Sequence, residues 1–208
     1  ASGFAAVGFA TAGPAESMAV YRQWLMDGMA GDMEYLRRHS ELRINPSELA
    51  TGVKSIIAVA ARYPTNPEPG SGFSMYARGL DYHDVVRSKL RDLTAFINDR
   101  HPLQVHRICV DSAPLLEREW AIRAGLGWQG KQGQIVNPSA GCCLVLGFLL
   151  VDIELPASEP LAERCGDCRC CTAACPTGAA LGEGRVDARR CLSYLTTEYK
   201  TSIPDALR

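Results

Sequence analysis

The chain has 208 residues, a formal net charge of −1 at pH 7, 47% hydrophobic residues and 22% charged residues. These proportions are those of a globular protein and exclude a disordered or fibrous chain. The longest apolar run, 144–151, falls far short of the roughly 18 to 20 residues that span a bilayer. The first residues of the chain lack the basic segment of a secretory signal. We therefore expect a cytoplasmic protein that makes no membrane contact and has no overall electrostatic attraction for nucleic acid.

Three helical regions are predicted along the chain. Residues 15–39 read as helical, with breaks expected at Gly28 and Gly31. Apolar residues recur at 4-3-4 spacing over 86–97, which indicates an amphipathic helix. The segment 114–125 begins with proline and ends with glycine, the usual asymmetry of a helix.

Short apolar runs, partly β-branched, predict three strands, at 55–61, 105–110 and 144–151. Alternation of strands and helices favours a layered α/β domain. The stretch 64–72 is rich in proline, glycine and asparagine and predicts a surface loop. A polar, proline-bearing linker at 156–163 follows the last strand. We therefore divide the chain into an α/β domain, 1–158, and a cysteine-rich module, 159–208.

The module carries the strongest chemical signal of the sequence. Nine cysteines occur in the chain, and five of them lie within the eleven residues 165–175, which favours metal binding in a reducing compartment over disulfides. Thiolates that converge from a tight turn are what an iron–sulfur cluster requires. The spacing C-x2-C-x2-C-x3-C-P is met by Cys165, Cys168, Cys171 and Cys175. A structural zinc site is the alternative, but it takes two separated C-x2-C pairs or adds histidines, and the four histidines lie far upstream.

The fourth cysteine of such a run serves the other cluster in two-cluster ferredoxins. Cys175 is therefore expected to reach a second cluster, and Cys191 is the downstream cysteine that can share it. No second run of this type occurs before Arg208, so the clusters are expected to be incomplete or to draw on further residues. Cys170, inside the run, is expected to be an extra thiol that points away from the metal.

Several segments of the α/β domain are candidates for a site, and each of them has two interpretations. Asp111 follows a predicted strand and precedes a predicted helix, where α/β proteins place their sites. It is either a proton donor in a dry pocket or a helix cap. The glycine-rich run 125–133 either admits a flat ligand or forms a turn, and it is not a P-loop because no Ser or Thr follows Lys131. His83 is either a functional group or a surface histidine at a helix start.

Four runs in this order resemble the epoxyqueuosine reductases over nearly the whole chain: YARGLDYH (76–83), DSAPLLEREWAIRAGLGWQGK (111–131), CGDCRCCTAACPTGA (165–179) and DARRCLSYLTTEYKTSIP (187–204). The resemblance implies an α/β (α+β) fold, with a mixed-sheet cobalamin-binding domain followed by a ferredoxin-like iron–sulfur module. It implies reduction of epoxyqueuosine to queuosine at the wobble position of tRNA, with base-off cobalamin and two 4Fe-4S clusters. The implied partners are the tRNA anticodon stem-loop and an external low-potential electron donor, with the protein itself a monomer.

The resemblance also assigns roles to individual residues. Asp111 becomes the general acid of epoxide opening. The residues expected to line the cobalamin site are Arg43, Tyr76, Arg78, Asp81, Tyr82, His83, Asp111, Gly130 and Lys131. The cluster ligands are expected to be Cys165, Cys168 and Cys171 for the first cluster and Cys175 with Cys191 for the second.

Two departures and two alternatives accompany this resemblance. Cys142 and Cys143 stand where the family commonly has Gly-Ser followed by an aromatic or apolar residue, which affects local detail of the corrin pocket. The second cysteine run typical of the family is not in the sequence. The alternatives are a ferredoxin-like electron carrier, which the corrin-pocket motifs disfavour, and a dehalogenase-like cobalamin reductase, which more often uses a tyrosine as its proton donor.

Overall fold

The computed structural model describes residues 3–65 and 73–207. Its strands are β1 (Ala6–Thr11), β2 (Ser55–Arg62), β3 (His106–Cys109), β4 (Trp128–Gln129), β5 (Ile135–Val136), β6 (Leu144–Val151), β7 (Ala180–Gly182) and β8 (Arg185–Val186). Its α-helices are α1 (Met18–Met26), α2 (Glu34–Arg38), α3 (Ser40–Ile44), α4 (Tyr82–Asn98), α5 (Glu117–Arg123), α6 (Cys170–Ala173) and α7 (Leu192–Thr197). Short 3-10 helices occupy Pro46–Glu48, Met75–Ala77, Ala188–Arg190 and Asp205–Leu207. Most of the predicted surface loop at 64–72 lies outside the described residues.

The main sheet has four strands in the order β1-β2-β6-β3, and each neighbouring pair is antiparallel. Strand β6 is central: it faces β2 along its whole length, from Leu144 opposite Arg62 to Val151 opposite Ser55. The α/β fold class is thus confirmed, but the expected mixed pairing is wrong for these strands. A strand that is buried on both faces shows the same continuous apolar pattern in parallel and antiparallel sheets, so its sequence does not specify the direction of its neighbours.

Helices cover both faces of this sheet and make a three-layer domain. Side chains alternate between the two faces along a strand. From β2, Ile56 packs with Trp120 of α5 on one face, and Ile57 packs with Val86 and Leu90 of α4 on the other. Trp120 and Leu90 are fully buried. The predicted strands at 55–61, 105–110 and 144–151 are confirmed to within a residue or so at each end.

The N-terminal helical region is interrupted where the glycines predicted it. Gly28 and Gly31 have left-handed backbones, with φ of 68° and 57°, and separate α1 from α2. An added Cβ at Gly31 would lie 2.7 Å from the Tyr194 ring, so this glycine also permits a close approach to α7. None of the described helices has the length and apolarity needed to cross a bilayer.

The predicted amphipathic helix is confirmed as α4, but the predicted helix at 114–125 is shorter than expected. Helix α4 begins after Asp81, whose carboxylate accepts the backbone N–H of His83 at 2.9 Å. Helix α5 begins at Glu117 rather than at Pro114. Residues 111–116 instead form a loop with two tight turns, in which Ser112 donates to the carbonyl of Val110 at 2.6 Å.

The cysteine-rich module packs against the α1–α2 region through a small third core. Tyr194 and Leu195 of α7 are buried there with the partly buried Trp24 and Met33. Trp24 donates its indole N–H to the carbonyl of Val186 at 2.7 Å. The Tyr194 hydroxyl accepts the backbone N–H of Asp32 at 2.9 Å. These bonds attach the second half of the module directly to the first helices of the chain.

Strand β1 approaches helix α5 so closely that only glycine fits at one position. An added Cβ at Gly8 would lie 1.8 Å from the carbonyl oxygen of Ala124, which is backbone and cannot rotate away. We expect Gly8→Ala to lower the free energy of unfolding by about 1 to 3 kcal/mol or more, as overpacking does. Gly13→Ala is the matched control, because nothing lies within 4 Å of its added Cβ. Urea denaturation of both variants checks this, and equal losses would contradict it.

Candidate functional site

The candidate site is built around the loop that follows strand β3. Val110 is buried beneath helix α4, and the next residue, Asp111, turns outward with its side chain 61% exposed. The backbone of Asp111 is left-handed, with φ of 55°, which is uncommon for a residue other than glycine. Its N–H donates to Oε1 of Glu117 at 2.7 Å. The fold therefore presents the carboxyl group of Asp111 at the rim of the sheet.

A histidine joins Asp111 to a second carboxylate. Nε2 of His83 lies 3.1 Å from Oδ2 of Asp111, and Nδ1 lies 2.7 Å from Oδ1 of Asp81. Desolvation lowers the pKa of His83, but its contacts with Asp81 and Asp111 outweigh this and raise the pKa overall. Backbone and side-chain hydrogen bonds from His83 lower the pKa of Asp81. The arrangement can hold a proton on the imidazole next to the Asp111 carboxyl group.

Aromatic rings continue from this pair along one side of the site. The Tyr82 ring stacks on His83 with centroids 4.0 Å apart. Tyr76 contacts Tyr82 edge-on at 6.1 Å and Tyr63 at 6.2 Å. Burial and the nearby Asp111 carboxylate raise the pKa of Tyr82, so its hydroxyl stays protonated at neutral pH. Three of the predicted site residues, Tyr76, Tyr82 and His83, are thus in contact with one another or with Asp111.

An open groove of about 470 Å³ lies at the far end of this aromatic row. Its lining residues are Tyr63, Phe73, Ser74, Met75, Tyr76 and Arg78. Arg78 donates from Nε to the carbonyl of Phe73 at 3.0 Å. The Phe73 side chain is 74% exposed and Leu80 nearby is 84% exposed. Exposed apolar groups beside a row of tyrosines fit the binding of a large, flat and mostly apolar ligand.

Arg43 approaches the site from helix α3. Its carbonyl accepts the N–H of Leu116 at 3.3 Å, and its guanidinium lies 5.8 Å from the centre of the Tyr35 ring. The buried Nε of Arg43 and the buried indole N–H of Trp128 have no hydrogen-bond acceptor among the residues that the structure describes. Buried donors without acceptors are rare in folded proteins, so these two fit a bound group with acceptor atoms.

Glu117 is a site residue that the sequence analysis missed. It is partly buried at the start of α5, and desolvation raises the pKa of its carboxyl group to about 7. The charge of Asp111 raises the pKa further, while the bond from Asp111 N–H and the charges of Arg118 and Arg43 lower it. An acidic residue in the first turn of a helix is common because it interacts well with the helix dipole. Nothing in the sequence therefore distinguished Glu117 from an ordinary first-turn glutamate.

The cysteine run begins in the turn before helix α6, continues through that helix and ends just after it. Cys168 donates its backbone N–H to the carbonyl of Cys165 at 2.9 Å, which closes the turn. A backbone hydrogen bond at Cys170 lowers the pKa of the Cys168 thiol, and one at Ala180 lowers that of Cys175. All nine cysteines are free thiols. Thiols with lowered pKa at partly exposed positions fit iron ligation.

The described side chains do not form a preassembled metal cage. Within 3–65 and 73–207, no three His, Cys, Asp or Glu side chains surround a common metal position. The donor set fits iron–sulfur chemistry by its type and its number, because four thiolates hold a 4Fe-4S cluster. Cys191 lies at the start of α7, separated along the chain from the run by the β7–β8 hairpin.

Of the predicted pocket residues Gly130 and Lys131, the lysine contacts the cysteine turn. They lie in the turn between β4 and β5, where Gly130 donates to the carbonyl of Gln134 at 2.8 Å. The Lys131 ammonium group donates to the carbonyls of Gly166 and Cys168, the latter at 2.9 Å. This lysine therefore places a positive charge beside the thiols of the run.

Two protein families match separate parts of the chain. Residues 43–112 match the family described as epoxyqueuosine reductase QueG, DUF1730. Residues 164–208 match the 4Fe-4S double cluster binding domain. Fold and site together thus define a two-part protein, in which an α/β domain with an aspartate at its rim precedes an iron–sulfur module.

Sequence similarity to known proteins extends along nearly the whole chain. The epoxyqueuosine reductase of Escherichia coli K12 is 43% identical over 215 residues, which cover 99% of this chain. The chain spans 57% of the length of that relative. Along nearly its whole length, the chain is thus similar to the epoxyqueuosine reductases.

Two solved structures resemble this fold closely. An epoxyqueuosine reductase with an epoxyqueuosine-modified tRNA-Tyr stem loop matches 98% of this chain and 56% of its own, with a TM-score of 0.84 and 30% identity. The Bacillus subtilis epoxyqueuosine reductase, with its aspartate-bearing catalytic loop swung out of the active site, matches 98% of this chain and 56% of its own. Its TM-score is 0.81 at 29% identity.

The raised pKa of Glu117 predicts a pH dependence of stability. Its folded-state pKa of about 7 lies above the ordinary value of 4.5, so the folded protein keeps a proton that the unfolded chain releases. The unfolding free energy should therefore fall as the pH rises from about 4.5 to about 7. We expect Glu117→Gln to remove this part of the slope, while Glu119→Gln keeps it. Denaturation at pH 5 and pH 7.5 tests this, and an unchanged slope in Glu117→Gln would refute it.

Proposed function

We propose that this protein reduces epoxyqueuosine to queuosine in tRNA. The observation that carries the proposal is the exposed carboxyl group of Asp111, bound to His83 and set beside a row of aromatic rings. The overall reaction takes up two electrons and two protons, breaks both C–O bonds of the epoxide, forms a C=C bond and releases the oxygen as water. An external low-potential reductant has to supply the electrons.

Cobalamin is the proposed cofactor of the α/β domain. It would lie against the aromatic row and the groove, and the candidate residues are Arg43, Tyr76, Arg78, Asp81, Tyr82, His83 and Asp111. When bound, cobalamin supplies a strongly reducing cobalt centre to the epoxide carbon, and the 4Fe-4S clusters deliver the electrons. The free indole and guanidinium donors of Trp128 and Arg43 support the presence of a polar-edged ligand.

The proposed work of the polypeptide is to hold a proton and exclude water. Asp111 would donate a proton to the epoxide oxygen as the ring opens, since its carboxyl group faces outward from a fixed loop. His83 would return a proton to Asp111 across the 3.1 Å contact, and Asp81 would orient the imidazole. A ligand bound beside Tyr82 would shield these groups from solvent.

In the module, Cys165, Cys168 and Cys171 are proposed to hold the first cluster, and Cys175 with Cys191 the second. Lys131 would favour electron arrival, because its ammonium group lies at the Cys168 carbonyl and stabilises added negative charge. A simple electron carrier would need neither Asp111 nor His83, so their contact favours a reductase over that alternative.

The tRNA anticodon stem-loop is the proposed substrate, by analogy with the solved complex. The aspartate-bearing loop of the Bacillus subtilis protein is proposed to correspond to the Asp111 loop. A tRNA substrate would place the protein in the cytoplasm. Action as a monomer and the division of the chain at 158/159 also remain proposals.

Replacement of Asp111 tests the proposed proton donor. Asp111→Asn preserves the size of the side chain and tolerates the left-handed backbone, but it cannot donate an acidic proton. We expect queuosine formation to fall by about 10²-fold or more, the usual worth of general acid catalysis, with cluster and cobalamin absorption unchanged. The measurement is queuosine formation on epoxyqueuosine-containing tRNA, followed by mass spectrometry.

The matched control is Asp84→Asn, in the first turn of the same helix as His83. It should keep full activity, because Asp84 has no place in the proposed proton path. Normal turnover by Asp111→Asn would remove the proton-donor role while leaving the similarity to the epoxyqueuosine reductases intact.

Cysteine replacements test the cluster ligands. We expect Cys168→Ser to lose most of the iron of the first cluster, because a serine hydroxyl is a poor iron ligand compared with a thiolate. Cys170→Ser, inside the same run but outside its spacing, should retain iron. Iron content and absorption near 400 nm of the reconstituted protein measure both. The ligand assignment fails if the two variants hold equal iron.

A further inference from the structure

The loop that carries Asp111 is held by a contact to which the proposed reaction assigns no role. Asp111 adopts φ of 55°, a left-handed conformation that costs energy for a residue with a Cβ. Such a conformation persists only where surrounding bonds fix it. The backbone N–H of Asp111 donates to Oε1 of the Glu117 carboxyl group at 2.7 Å.

Glu117 is well placed to fix this conformation because its own helix is immobile. It is the first residue of α5, and three residues later Trp120 is fully buried in the main core. Ala121 of the same helix is buried there too, as is Ala124 directly after the helix. The position of the Glu117 carboxylate is therefore set by the core of the domain and not by the loop itself.

One other bond of the loop acts on Asp111, because the N–H of Ser112 donates to the carbonyl of Val110 at 2.6 Å and closes a tight turn around it. This turn does not engage the N–H of Asp111, which donates to Glu117. Arg87 donates to the Ser112 hydroxyl at 3.0 Å, and Leu116 donates its N–H to the carbonyl of Arg43 at 3.3 Å. Both bonds restrain residues after Asp111. Without the Glu117 bond, rotation of the Asp111 peptide would move its carboxyl group away from Nε2 of His83.

We propose that Glu117 is a positioning residue that holds the Asp111 loop in its present conformation, so that the Asp111 carboxyl group stays within hydrogen-bond distance of His83. The catalytic part of this inference rests on the proposed function, whereas the structural part does not. Loss of the bond should favour a loop that points away from the site. The predicted consequence is slower chemistry with little change in the affinity for tRNA.

Three substitutions at position 117 separate the effects of side-chain length, of charge and of the hydrogen-bond acceptor. Glu117→Gln keeps an oxygen acceptor at the same distance. Glu117→Asp keeps the charge but is one methylene too short to reach Asp111. Glu117→Ala removes the acceptor altogether. Glu119→Ala is the matched control, because Glu119 lies in the same helical turn and also accepts a backbone N–H, that of Glu16 at 3.0 Å.

The first measurement is amide hydrogen exchange of the peptide 110–116 in the intact protein. We expect exchange to accelerate about tenfold in Glu117→Asp and Glu117→Ala, which is the effect of losing one hydrogen bond. Glu117→Gln and Glu119→Ala should stay close to the wild-type rate. Should Glu117→Ala fail to fold, Glu117→Asp still decides the question. Wild-type exchange in the Asp and Ala variants overturns the proposal.

The second measurement is turnover of epoxyqueuosine-containing tRNA by the reconstituted holoprotein. We expect kcat to fall about tenfold in Glu117→Asp, with KM nearly unchanged and most of the rate restored in Glu117→Gln. Faster exchange with an unchanged kcat would overturn the positioning role. If the wild-type protein shows no turnover, the proposed function fails, and the exchange results still decide whether Glu117 holds the loop.

Discussion

Burial of the central sheet on both faces is the constraint on which the candidate site depends. Because α4 covers one face and α5 the other, the chain that leaves β3 has to turn at the rim between these two helices. Val110 is held beneath α4, so Asp111 is the first residue free to point outward. The start of α4 brings His83 to the same rim. The contact between Asp111 and His83 is thus a consequence of how two helices pack on one sheet.

A second set of contacts fixes the cysteine-rich module on this domain. Trp24 and Tyr194 each form a hydrogen bond across the contact, and both belong to the third core. On the other side, Lys131 reaches the carbonyls of the cysteine turn from the β4–β5 hairpin. The module is therefore attached to the domain at two places, through the third core and through the cysteine turn. This favours a fixed distance between clusters and the α/β domain, as electron transfer requires.

Much of this structure could be predicted from the sequence, and the exceptions have physical causes. The central strand at 144–151 and the helix around Leu90 were found because their apolar patterns are long and regular. Strand β1 was missed, because its alanines and Gly8 lack the β-branched signal, although close packing on α5 demands small residues there. The direction of strand pairing was also wrong, since burial on both faces removes the pattern that would reveal it.

The site was predictable where chemistry depends on spacing and less so where it depends on folding. The cysteine run could be recognised from the spacing of its cysteines. The resemblance pointed to Asp111 and His83, which the fold brings into contact. The resemblance also pointed to Lys131, and the fold brings its ammonium group to the carbonyls of the cysteine turn. Glu117 could not be recognised from the sequence, because its proposed role depends on a hydrogen bond from the peptide N–H six residues earlier.

The left-handed backbone at position 111 limits which side chains the loop accepts. Asparagine and glycine tolerate this region, whereas β-branched residues such as valine or threonine do not. A change to threonine would therefore disturb the path of the main chain as well as the acid, and its effect on rate would mix two causes. The amide of asparagine alters only the proton. The backbone conformation at position 111 thus excludes some side chains for steric reasons, whatever their chemistry.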